Sequence, residues 1–173
     1  SSVHTRDFNG DNRGDVVIRY LGGGSWPNLS TYIMELFAHG SVFTNGLATL
    51  STGSLPPLPV NWNSDACTDL AFGGKVWIAG CGLTYATSIP VVTPSLALDW
   101  DGDSRTDLLS NSNGTWQVSR SLSTAAATPV STGISVGSGS WLNFDPNGDG
   151  LSDLALANAS AGNAITYGLH NGA

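Results

Sequence analysis

The sequence predicts an all-β fold, a propeller-type array of about four four-stranded blades, on three observations. A nine-residue acidic frame recurs four times, at residues 7–15, 61–69, 99–107 and 145–153, with starts 54, 38 and 46 residues apart, and a period in this range belongs to propellers and solenoids. Hydrophobic residues make up 40% of the chain and charged ones only 11%, with 22 Gly and 8 Pro, a composition of short strands joined by turns. No amphipathic helical run stands out around the frames.

The richest frame is Asp99-Trp100-Asp101-Gly102-Asp103-Ser104-Arg105-Thr106-Asp107, with carboxylates at positions 1, 3, 5 and 9. Carboxylates this close repel unless a cation sits among them, and hard oxygen donors at alternate positions of a tight loop suit Ca2+. The chain has twelve Asp and one Glu, and all twelve Asp fall inside the four frames. Acidic residues that served only solvation would be spread over the surface, so a set of metal loops is the better reading.

Taken in order, the chain forms one repeat domain, 1–173, of four approximate units: 1–55, 56–94, 95–139 and 140–173. Each shows a strand, the acidic loop, a second strand opening after the last Asp, a turn, a third strand and a Thr/Ser-rich fourth. Unit one reads SSVHTRD, DVVIRYL, TYIMELF and GLATLST, with Gly22, Gly23, Gly24 and Pro27 in a long connection. Its lone Glu35 is expected on an exposed strand edge. Unit two enters through Pro56, Pro57 and Pro59, which places that segment at an edge. Its loop is degenerate, with Asn61, Asn63 and Ser64 in place of two carboxylates and a glycine, and its hairpin strand is KVWIAGC. Unit three runs SLALDW, TDLLSNS, GTWQVSRS and PVSTGISV, with a hairpin signal at Asn113-Gly114. Unit four runs SWLNFD, SDLALAN and NAITYGLHNG without a fourth strand. That count predicts a ring lacking its closing strand, to be completed by a longer parent chain or by another pairing, self-association included.

The formal charge of −7 resides in the frames, and at two charges per ion three bound Ca2+ would bring it to −1 and four to +1. Six dispersed Lys and Arg form no basic stripe, which excludes nucleic acid as a partner. No apolar run is long enough for a membrane span, and no signal peptide opens the chain. The two cysteines, Cys67 and Cys81, favour a disulfide in an oxidising compartment over a reduced buried pair. Such a bond would staple the degenerate loop where a cation staples the others. Closing about 15 residues this way is worth on the order of 3 kcal/mol by chain-entropy reasoning.

The frame Asp-x-Asp/Asn-Gly-Asp-x-x-x-Asp, followed by Leu or Val and flanked by strands, resembles the calcium loops of FG-GAP and VCBS repeats. Those families build β-propellers in integrin alpha subunits, lectins and bacterial surface proteins. The phrases DWDGD, TDLL and GLHNG further resemble the FG-GAP segments of bacterial Rhs/YD-repeat and toxin-complex proteins, although YD repeats themselves are absent. The resemblance spans nearly the whole chain and departs at the second loop. It implies Ca2+ ligands from Asp7, Asn9, Asp11 and Asp15, from Asp99, Asp101, Asp103 and Asp107, and from Asp145, Asn147, Asp149 and Asp153. Arg13, Arg105 and Leu151 at position 7 would supply carbonyls, where side-chain identity is free to vary. About three Ca2+ sites follow, with a weak fourth at Asp65 and Asp69.

Three functions compete. The first is a calcium-binding, non-enzymatic scaffold or binding platform, secreted or on a cell surface, for a protein or glycan ligand. The second is a lectin, because related propellers bind sugars between blades and the chain has six Trp. Trp62 and Trp100, at position 2 of their loops, and Trp77 and Trp116, in third strands, read as packing residues; Trp26 is the candidate stacking platform. The third, an enzyme, is disfavoured: every Asp belongs to a loop, Glu35 has no partner carboxylate, and His4, His39 and His170 sit in no catalytic motif.

Overall fold

Strands that follow one another along a chain readily pair with each other, and within each sheet of this chain the strands do so in order. The computed structural model describes residues 2–21, 31–39, 42–48, 57–81, 85, 87–158 and 164–168. Among them it shows antiparallel strands and no helix, so no helix is long and apolar enough to cross a membrane. The chain divides into two compact units, Ser1–Thr93 and Pro94–Ala173.

In the first unit, β1 (Ser2–Arg6), β2 (Asp15–Leu21), β3 (Thr31–His39) and β4 (Val42–Ala48) form one sheet in chain order. A second sheet follows from β5 (Leu58–Val60), β6 (Asp69–Phe72), β7 (Lys75–Ile78) and β8 (Thr87–Pro90). The second unit repeats the plan with β9 (Leu96–Leu98), β10 (Asp107–Ser112), β11 (Thr115–Ser119) and β12 (Val130–Ser135). Its other sheet has, among the described residues, three strands, β13 (Ser140–Phe144), β14 (Asp153–Asn158) and β15 (Ala164–Gly168). None of the sheets closes into a barrel.

The acidic frame always joins the first strand to the second, and always in the same register. Arg6 pairs with Asp15, Val60 with Asp69, Leu98 with Asp107 and Phe144 with Asp153. In the second and third sheets the second and third strands meet at tight turns where the sequence allows left-handed backbone: Gly73 and Gly74 have φ of 59° and 72°, and Asn113 and Gly114 have 52° and 80°. Two successive positive φ values are what a two-residue hairpin needs to match strand twist.

Each unit has its own core between its two sheets. Phe8 of the first acidic loop and Val17 of β2 pack on Leu70 and Phe72 of β6, with Trp77 and Tyr85 at the margin. In the other unit Leu98, Trp100, Leu109, Trp116 and Val118 pack on Leu154, with Trp141 edge-on to Trp116 at 5.7 Å between centroids. Burial of each such side chain is worth about 1.5–3 kcal/mol, so it is these apolar contacts that oppose the chain-ordering entropy of each pair of sheets.

Three expectations shift. β4 starts at Val42 rather than at Gly46. Glu35 is not on an edge, because β3 lies between β2 and β4 and Glu35 pairs with both Val17 and Gly46. β7 ends at Ile78, so Cys81 lies beyond the strand: the N–H of Ala79 turns to the buried carboxylate of Asp69, at 2.7 Å, and leaves the ladder. Trp26 and His170 lie outside the described residues, as does the side chain of His39.

Candidate metal centres

The ninth residue of each frame is completely buried. Asp15, Asp69, Asp107 and Asp153 are all 0% exposed, because each opens an inner strand opposite the residue that ends the strand before. A carboxylate in that position must be hydrogen-bonded to persist. The N–H at position 2 donates to it in three loops: Phe8 to Asp15 at 2.8 Å, Trp62 to Asp69 at 3.0 Å and Trp100 to Asp107 at 3.0 Å. In the fourth loop position 2 is Pro146, which has no N–H to give. The second oxygen reaches the end of the third strand, taking the N–H of Ala79 at 2.7 Å on Asp69 and of Ser121 at 2.8 Å on Asp107. Burial pushes Asp69 and Asp107 up to about 6, against the downward pull of those N–H donors; neighbouring carboxylates, Asp65 for the first and Asp101 and Asp103 for the second, add to the rise. The ninth Asp therefore ties the loop to the sheet, and its oxygens keep lone pairs to spare for a cation.

Positions 1, 3 and 5 wrap the loop around themselves. Asp7 accepts the N–H of Gly10 at 2.7 Å on one oxygen and of Asn12 at 2.7 Å on the other. Asp99 does the same with Gly102 and Ser104, at 2.8 and 2.9 Å, and Asp145 with Gly148 and Gly150, at 2.7 and 3.0 Å. At position 5, Asp11, Asp65, Asp103 and Asp149 accept the N–H of the residue two further on, Arg13, Cys67, Arg105 and Leu151. This wrap demands left-handed backbone at position 4, with φ of 78°, 59°, 76° and 72° at Gly10, Ser64, Gly102 and Gly148. Ser64 adopts it at a steric cost that glycine avoids.

In the third loop Asp99, Asp101 and Asp103 each bring a carboxylate oxygen to within 4.8 Å of one another. Asp101 Oδ1 is buried and has no hydrogen-bond partner. Two arginines share the charge: Arg105 donates to Asp103 and to Ser123, and Arg120 Nε lies 3.8 Å from Asp101 Oδ2. Both ion pairs are partly solvated and worth little each, so a divalent cation fits the remaining charge and the orphaned oxygen. In the fourth loop Asn147 takes the N–H of Asp149 at 3.1 Å and gives its own amide hydrogen to that carboxylate at 2.9 Å. Asn63 of the second loop treats Asp65 likewise. There Cys67 is bonded to Cys81, with Cα atoms 5.5 Å apart, so neither sulfur is a thiolate ligand.

Loops within a unit touch. Thr68, at position 8 of the second loop, gives its N–H at 3.0 Å and its hydroxyl at 2.7 Å to the carbonyl of Asp7, position 1 of the first. Ser152 gives its N–H to the carbonyl of Asp99 at 3.0 Å in the same relation. A Cβ placed on Gly10 would meet Cys67 Sγ at 2.9 Å, and one on Gly102 would meet Leu151 Cδ2 at 3.0 Å. Thr68 and Ser152 were not among the residues the spacing points to. The available signal is a hydroxyl residue at position 8 of the second, third and fourth loops, Thr68, Thr106 and Ser152, with Gly14 in the first.

His4 lies on β1 with Nε2 buried and without a hydrogen-bond partner, and burial, then the charge of Arg6, lowers its pKa. Comparison with protein-family models finds no match, and comparison with curated proteins finds none.

Proposed function

We propose that the chain is a calcium-binding, non-enzymatic repeat module of propeller type, of the FG-GAP/VCBS kind, working as a scaffold or binding platform in a secreted or surface protein. The observation that carries this reading is the third loop, where three carboxylates converge and Asp101 Oδ1 is buried with no donor. Bound there, Ca2+ would neutralise clustered charge and cross-link the turn, with Asp99, Asp101, Asp103 and Asp107 holding it. The first and fourth loops share the wrap and carry three carboxylates each, so they are the next sites. Four sheets with one strand order and one loop register favour blades of a propeller, and the disulfide favours an oxidising, calcium-rich setting.

The scaffold is favoured over a lectin among the described residues, since Trp62, Trp100 and Trp116 are buried and Trp77 and Trp141 are partly covered by the cores. None is an open stacking platform. Site-resolved Ca2+ titration by NMR tests the proposal. Filling of the third loop first, then the first and fourth, with the second weakest, is expected; no loop responding at millimolar Ca2+ would sink it.

A further inference from the structure

The first cation loop is built on the second, and the second is closed by a disulfide. Asp7 is the pivot: its carboxylate collects the N–H groups of Gly10 and Asn12, while its carbonyl is held twice by Thr68. Thr68 is the neighbour of Cys67, whose sulfur is buried against Gly10. Cys67 in turn is anchored to Cys81 and, through its N–H, to Asp65 at 2.8 Å. The two contacts from the second loop thus fall on positions 1 and 4 of the first, the residues that set its wrap. With only two carboxylates, the second loop has little cation affinity of its own to hold that surface in place.

We propose that the Cys67–Cys81 disulfide is a positioning group for the first loop, making its order and its cation affinity depend on redox state while the third loop is indifferent to it. Cys81 is exposed, so a dithiol can reach it. Two electrons and two protons pass from the dithiol, the S–S bond breaks to two thiols, and the reductant leaves as its own disulfide. Freed of the bond, residues 66–68 lose the constraint that presses Cys67 on Gly10 and aims Thr68 at Asp7. The first loop then opens more often, and a ligand that needs it closed binds more weakly by the fraction still closed.

The affinity half of this proposal rests on the calcium reading; the order half does not. Amide hydrogen exchange is measured on the full chain with metal chelated, before and after a dithiol, and on Cys67→Ser/Cys81→Ser. Exchange at Gly10 and Asn12 should rise by about tenfold or more, with Gly102 and Ser104 of the third loop and Ile18 of β2 unmoved. If Ile18 accelerates equally, the unit has unfolded, and the decision passes to Thr68→Val with the disulfide intact, which removes only the hydroxyl bond to Asp7. That variant should accelerate Gly10 and Asn12 severalfold. Unchanged exchange at both amides, in the reduced protein or in this variant, overturns the proposal. A Ca2+ titration then reads the first loop's midpoint, expected about tenfold higher on reduction, against an unshifted third loop. An exchange effect with no Ca2+ response anywhere would discard the calcium reading and leave the positioning role standing.

Discussion

Gly10 lies directly beneath Cys67: a Cβ on the glycine would stand 2.9 Å from the sulfur, and its φ of 78° is left-handed. Gly102 has the same φ class but faces the movable end of Leu151 at 3.0 Å, and Gly148, φ 72°, has nothing within 4 Å. Alanine at any of the three meets the left-handed penalty of about 1–2 kcal/mol. Gly148→Ala should show that alone, Gly102→Ala slightly more, and Gly10→Ala the largest loss, because a disulfide sulfur cannot step aside. Thermal melts of the three variants check the order, and equal losses would mean the loop contact has no energetic weight.

Asp103 and Asp107 stand four residues apart and differ in role. Asp107 is fully buried and accepts two N–H groups, from Trp100 and Ser121; Asp103 is exposed and pairs with Arg105. Asp107→Ala should destabilise by about 2–6 kcal/mol, at 1–3 for each stranded buried N–H, with or without Ca2+. Asp103→Ala loses only the exposed contacts with Arg105 in chelator, and should cost much more when Ca2+ is present. Melting temperatures in calcium and in chelator separate the two, and a chelator-insensitive Asp103→Ala loss would deny it a ligand role.

Asp69 gives the chelated protein a specific pH dependence. Its folded pKa of about 6 lies above its ordinary 3.8, so the folded state takes up a proton where the unfolded state has lost it. The contribution is full below 3.8 and is lost as pH rises through 6, a change of about 3 kcal/mol for a group this buried. Asp69→Asn cannot titrate, and it sets an amide against the N–H groups of Trp62 and Ala79, which costs a roughly constant amount. Wild type should therefore exceed the variant by more at pH 4 than at pH 7.5. A gap that widens with pH would show that the N–H donors outweigh desolvation.

Much of this was legible because the chain punctuates itself with Asp. The frames locate the first and second strands of every sheet, and Asn113-Gly114 locates a turn, since each depends on side chains with few alternatives. The pairing of Cys67 with Cys81 also follows from their being the two cysteines of the chain. Contacts made by backbone left less trace. Thr68 reaches Asp7 across 61 residues through an N–H that any residue but proline has, and Gly10 is required by the turn before it is required by its neighbour. The end of β7 is hidden for the same reason, since the acceptor that draws Ala79 away belongs to another strand. The ninth Asp shows a residue type with two uses, where spacing alone points to the ligand and not to the tie between loop and sheet.

Ser152 and Leu151 place the fourth loop on the third, through the carbonyl of Asp99 and the face of Gly102. Asp149 holds the N–H of Leu151 at 2.8 Å, so whatever orders Asp149 also steadies the residues that steady Asp99. Calcium bound at the fourth loop should therefore tighten the third, and linkage requires the reverse effect to be equal. Asp149→Ala is expected to weaken Ca2+ at the third loop severalfold, although it touches no ligand there, and Asp103→Ala should weaken the fourth by a comparable factor. Stability should follow: a site filled at ~100 times its dissociation constant adds about 2.7 kcal/mol if the unfolded chain does not bind, so two coupled sites are a large part of what holds a small unit together. Chelation should then melt the two loops in one step. The measurement is a pair of site-resolved titrations on each variant, with the first loop as the reference that should not move. If Asp149→Ala leaves the third loop's midpoint where it was, the hydrogen bond from Ser152 to Asp99 is a contact without coupling, and each loop binds alone.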